Sequence, residues 1–73
     1  MIKIIKKILS EYSDFDIINI TNDMSIKEDL FLDEGDMEEV LSEIQDYFGF
    51  QLDDSYEGIT YVSDLISAVK EAL

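Results

Sequence analysis

The side chains that most often do chemistry are missing from this sequence. It contains no histidine and no cysteine, which removes the commonest general base, the thiolate nucleophile and the disulfide together. Hydroxyls and carboxylates remain, and carboxylates dominate: 18 acids stand against 5 lysines, for a formal net charge of −13. Two arrangements of these acids could carry chemistry. Glu38 and Glu39 are adjacent, but neighbouring residues on a helix are turned about 100° apart, so they make no two-acid catalytic pair. Asp53, Ser55, Glu57, Gly58, Ile59, Tyr61 and Asp64 fall at the first, third, fifth, sixth, seventh, ninth and twelfth positions of an EF-hand calcium loop. The pattern departs from a calcium loop at Thr60, where an aliphatic residue is expected, and at Asp64, which replaces the long bidentate glutamate. No second hand is present to pair with it. The inventory predicts a protein that is not an enzyme and holds no metal.

The acids are unevenly placed. No lysine occurs between Lys27 and Lys70, while Glu28, Asp29, Asp33, Glu34, Asp36, Glu38, Glu39, Glu43 and Asp46 crowd the middle of the chain. Such a surface repels phosphate backbones and argues against nucleic-acid binding, whereas it steers a basic protein partner by long-range attraction. The same charge also serves solubility with no partner at all, and it opposes self-association, so a monomer is expected.

The elements that must position these residues follow from periodicity and caps. Ile2, Ile5, Ile8, Leu9 and Tyr12 recur at spacings of three and four, which predicts an amphipathic helix over about residues 2–13 with its lysines outward. Residues 14–33 hold isolated apolar anchors (Phe15, Ile17, Ile18, Ile20, Met24, Ile26, Leu30, Leu32) among turn-favouring residues and read as a long ordered loop pinned to the core. Asp33 is a good N-cap, and Glu34 and Asp36 suit the positive end of a helix dipole. Met37, Val40, Leu41, Ile44, Tyr47 and Phe48 carry one apolar stripe to about residue 48, where Gly49 suits a left-handed stop. Asp53, Asp54 and Ser55 start a short turn or helix through Gly58. Ile59, Val62, Leu65, Ile66, Val69 and Leu73 describe a last helix from about residue 61, with Thr60 as N-cap. The expected architecture is a single all-α domain over residues 1–73, a small four-helix bundle with a long loop between its first two helices. No apolar run is long enough to span a bilayer, and Lys3, Lys6 and Lys7 break up the apolar N-terminus in a way no signal peptide does, so a cytoplasmic protein is expected.

This order of elements resembles the acyl carrier protein family over nearly the whole chain. Ile20-Thr21-Asn22-Asp23 through Ser25, with Glu28-Asp29-Leu30, is similar to that family's first loop; Asp33 to Phe48 is similar to its recognition helix, and Ile59-Thr60-Tyr61-Val62 to the start of its last helix. The resemblance implies a carrier-type fold that works beside fatty-acid, polyketide or nonribosomal-peptide assembly enzymes. In that family an Asp-Ser-Leu motif at the start of the second helix receives the 4′-phosphopantetheine arm. A phosphate is well placed there, beside free N–H groups and a favourable dipole. The corresponding stretch here reads Asp33-Glu34-Gly35-Asp36, so Glu34 stands at the serine position and Gly35 at the leucine position.

Glutamate has no hydroxyl to form the phosphodiester, so no phosphopantetheine or other cofactor is expected. Ser25, Ser42 and Ser55 are the alternative hydroxyls, none of them in this turn. Glu34 itself admits two readings, an electrostatic stand-in for the phosphate or an acid favoured in any first helical turn. The resemblance implies a protein-docking role for Glu34, Asp36, Met37, Glu38, Glu39 and Glu43 against a basic partner. The alternative is a working carrier with an unusual attachment residue or a bound, unbonded acyl group. Met24, Met37, Phe15, Phe31, Phe48, Phe50 and Tyr47 could line a lipid pocket or be plain core. No cation is expected near such a pocket to hold a free carboxylate.

Overall fold

Three stretches of apolar period become helices because each has a start, a stripe and a stop. The computed structural model describes residues 1–51 and 58–73. Within them helix α1 runs Ile2–Tyr12, α2 Glu34–Phe48 and α3 Val62–Ala72, and a single 3₁₀ turn, Ile17–Asn19, interrupts the first loop. Asp33 caps α2, and Gly49 ends it in the left-handed region at φ 72° and ψ 35°. The capping residue of α3 is Tyr61 rather than the expected Thr60. The backbone explains this: Thr60 O is taken by the Ile26 N–H at 2.9 Å, whereas Tyr61 O accepts the Asp64 and Leu65 N–H groups at 3.0 and 3.3 Å. Asp64 Oδ2 in turn accepts the N–H groups of both Thr60 and Tyr61, at 3.1 and 2.9 Å. These bonds hold the Asp64 carboxyl below its ordinary pKa, the bond from Tyr61 contributing most.

The described residues thus form an all-helical fold with three α-helices, and the expected count of four is not reached. The short helix expected from Asp53 to Gly58 lies outside the described residues, Gly58 excepted.

The core joins all three helices to the first loop. Ile5, Leu9, Val40, Ile44, Val62, Leu65 and Val69 are sealed from solvent, and the loop adds Ile20, Ile26, Leu30 and Leu32. Fully burying a side chain of this kind is worth about 1.5–3 kcal/mol, so the loop is a packed element and not a tether. Not every anticipated apolar position goes inward. Ile18 is 87% exposed, and Tyr47 and Leu73 are also exposed although the periodic stripes of α2 and α3 include them. Tyr47 falls on the flank of its stripe, where it lines a shallow groove with Ile4 and Ile8 of α1. Leu73 lies beyond the last residue of α3.

Hydrogen bonds fix the loop's path. Ser25 donates its N–H to Asp29 Oδ2 at 2.7 Å, and its own Oγ accepts the Glu28 N–H at 3.1 Å. Ser25 and Tyr61 pair as an antiparallel bridge. Ile26 N–H donates to Thr60 O at 2.9 Å and Val62 N–H to Met24 O at 3.0 Å, so the loop is stitched to the start of α3.

Candidate functional site at the start of the second helix

The site is built outward from Asp33. Its Oδ1 accepts the Asp36 N–H at 2.8 Å, and Asp36 Oδ2 accepts the Asp33 N–H at 3.2 Å. This reciprocal box fixes the first turn of α2 and satisfies N–H groups that the helix cannot pair internally. Glu34 is the first helical residue and is exposed. Gly35 follows, also exposed, and a Cβ added there would meet only the Asp33 carboxylate, at 3.4 Å. The leucine that the resemblance places at this position is therefore absent without any steric demand for glycine.

Just before the cap, Phe31 has φ 59°, a left-handed conformation that costs a residue with a side chain about 1–2 kcal/mol. Leu30 and Leu32 on either side are buried, and Phe31 is 79% exposed. Phe31 is therefore neither core nor pocket wall, contrary to both readings of its ring.

Beside the start of α2 lies a cleft of about 340 Å³ lined by Ile26, Lys27, Leu32, Asp33, Glu34, Met37, Ile59 and Thr60. Apolar side chains come from the loop, from α2 and from the approach to α3, which the Ser25 and Tyr61 pairing holds together. Lys27 lines the same cleft as Glu34. Of the seven residues expected to line a lipid pocket, Met37 alone lines this cleft, so Lys27 stands in a different cavity from the one expected. Nothing in the local pattern announces this, because Lys27 reaches the cleft through the non-local pairing of the loop.

The structure separates the six residues expected to dock a partner. At roughly 3.6 residues per turn, Glu34 and Glu38 share one flank of the buried stripe and Asp36 and Glu43 the other, with Glu39 turned away from the core. Met37 is buried among the core residues and lines the cleft, so it presents little to a partner. Asp36 is half-buried and engaged in the capping box. Glu43 faces α1 and accepts the Tyr12 hydroxyl at 2.5 Å. That bond, with desolvation and the charges of Glu43, Glu39 and Glu11, raises the Tyr12 pKa from 10.0 to about 12. Glu34, Glu38 and Glu39 remain fully available at the surface.

Of the candidate hydroxyls, Ser25 is buried and its Oγ already accepts a backbone N–H. Ser42 is exposed on α2, two turns beyond Glu34, and Ser55 lies outside the described residues. The first three acidic or hydroxyl positions of the calcium-loop pattern, Asp53, Ser55 and Glu57, lie outside them as well. Asp64, its last position, is engaged as a helix cap. Among the described residues no group of three or more acids could hold a metal ion, and no helix is long and apolar enough to cross a membrane. No family model matches the chain, and no curated protein matches it at a significant level.

Proposed function

We propose that this chain is an acyl-carrier-type domain, with the four-helix bundle of that family, that has given up its covalent arm and works as a non-enzymatic docking module. Its partner is the basic surface of a biosynthetic enzyme of the fatty-acid, polyketide or nonribosomal-peptide kind. The observation that carries this reading is Glu34. It is exposed at the first position of a helix capped by Asp33, beside a cleft, where a carrier requires its serine. A carboxylate there keeps negative charge at the positive end of the dipole and offers no hydroxyl for phosphopantetheine. Glu34, Glu38 and Glu39 are the acids that meet the partner.

Two measurements test this. The intact mass of protein from its native host, before and after incubation with coenzyme A and a broad-specificity phosphopantetheinyl transferase, is expected to show no added arm. Binding to a basic partner enzyme is expected to weaken with salt and with Glu38→Lys. A pantetheinyl increment, or binding indifferent to both perturbations, overturns the reading.

Lys27 favours one alternative, a carrier that holds an acyl group without bonding to it. The cleft combines apolar walls with a cation of the sign needed for a fatty carboxylate. Titration with octanoate, read by chemical-shift changes at Ile26, Met37 and Ile59 and their loss in Lys27→Gln, supports it; an unchanged spectrum removes it.

A further inference from the structure

We infer that Phe31 is the anchor of the docking surface, an aromatic side chain held out to enter an apolar pocket rimmed by lysine or arginine on the partner protein. The inference rests on the docking role proposed above and adds the residue that gives it affinity.

Single exposed apolar residues are ordinary and need no explanation. Ile18, 87% exposed on the 3₁₀ turn, is one. Phe31 differs in how it is held. Its backbone is the one non-glycine among the described residues with a positive φ, a conformation that asparagine or glycine adopts more easily. The ring gains nothing from the fold in exchange, being 79% exposed. Nor is it free to turn inward. Leu30 N–H donates to Ser25 O at 3.1 Å and Leu32 N–H to Ile26 O at 3.2 Å, and both leucines are buried. The chain is therefore clamped on each side of Phe31 with the ring outside. With the Phe31 backbone already fixed, binding has only the two side-chain torsions of the ring left to order, a small cost for the apolar area that an aromatic anchor buries.

Charge selects the kind of pocket. Within three residues of Phe31 in the chain stand Glu28, Asp29, Asp33 and Glu34, all exposed. A hydrophobic pocket rimmed by acids would be repelled by them, as would the surface of a second copy at net charge −13. A rim of lysine or arginine complements them. The surroundings suit the O-ring arrangement, in which polar contacts shield a central apolar anchor from water.

The test places a photo-crosslinking phenylalanine analogue at position 31, and separately at positions 39 and 18, in the full chain expressed in its native host. Position 31 is expected to crosslink to a partner peptide carrying apolar residues flanked by lysine or arginine, and position 18 to nothing above background. For the partner so identified, Phe31→Asn is expected to raise the Kd roughly 30-fold without lowering Tm. Capture at 39 but not at 31 overturns the anchor and leaves the docking role standing, whereas capture at neither overturns both. A crosslink to an acidic surface or to another copy of this chain also refutes the inference. So does a Phe31→Asn variant that loses stability, since the ring would then be serving the fold.

Discussion

Replacing Asp33 with alanine removes the acceptor that holds the first turn of α2. The Asp36 N–H loses its partner at 2.8 Å, although Asp36 Oδ2 keeps the bond it accepts from the backbone N–H of residue 33. Loss of an N-cap acceptor costs about 0.5–2 kcal/mol. The lost charge also sat at the positive end of the helix, which adds about 0.3–1 kcal/mol. Working the other way, one acid fewer eases repulsion from Asp36, the acid at helical spacing from it, by about 0.2–0.5 kcal/mol. The net is a loss of about 1–2 kcal/mol. In a domain of this size each kcal/mol moves Tm by about 4–8 °C, so Asp33→Ala is expected to unfold roughly 5–15 °C lower by circular dichroism at neutral pH and low salt. Asp33→Asn keeps an acceptor and loses only the charge, and its loss should stay below about 1 kcal/mol. If the two variants fall equally, the charge and not the capping bond holds the helix start. An unchanged Tm in Asp33→Ala refutes the capping argument altogether.

Three further outcomes follow from the same contacts. Truncating Ile44, which is fully buried, to alanine is expected to cost about 2–5 kcal/mol; against a total of about 0.05–0.15 kcal/mol per residue, urea unfolding should show a midpoint cut by a large fraction or lost. Tyr12 has a native pKa of about 12 against an ordinary 10.0, so the stability of its bond to Glu43 is complete below pH 10 and is lost as pH rises through 12. Phenolate absorbance should therefore show one tyrosine titrating about two pH units late in the native protein, and Tyr12→Phe should abolish that late step. Asp64 has the opposite sign: its native pKa is lowered, so its contribution is present above the ordinary carboxylate range and disappears as pH falls through the lowered value. Asp64→Asn should accordingly flatten the acid limb of the stability curve, and an unaltered limb counts against the double cap.

The helices were legible because their signals are local. Asp33 and Gly49 bracket α2, and the stripe from Met37 to Ile44 has the helical period, so the expected and observed limits differ by at most a residue or so. The cap of α3 falls one residue later than the local pattern predicts because the Thr60 carbonyl is taken by Ile26, a partner distant in the chain. What sequence could not convey is what depends on distant partners. Tyr12 and Glu43 are 31 residues apart, and Lys27 reaches the cleft only because the loop pairs with the approach to α3. Phe31 sits between two leucines in an apolar run that reads as core. Its exposure is set by a left-handed backbone, for which phenylalanine is a poor signal.

The pairing of Ser25 with Tyr61 also has a consequence for how the chain finds its fold. Each helix is closed by contacts a few residues apart, which form on the microsecond scale or faster. The bridge instead joins the two ends of a segment that contains all of α2. Closing a loop of that length costs about 3 kcal/mol in chain entropy, repaid only once Ile26, Leu30 and Val62 bury together. The few backbone hydrogen bonds that stitch the loop to the start of α3 are therefore expected to form after the local turns of the helices. The seam that shapes the cleft is thus a non-local join, expected to close only when the helices it ties together are in place.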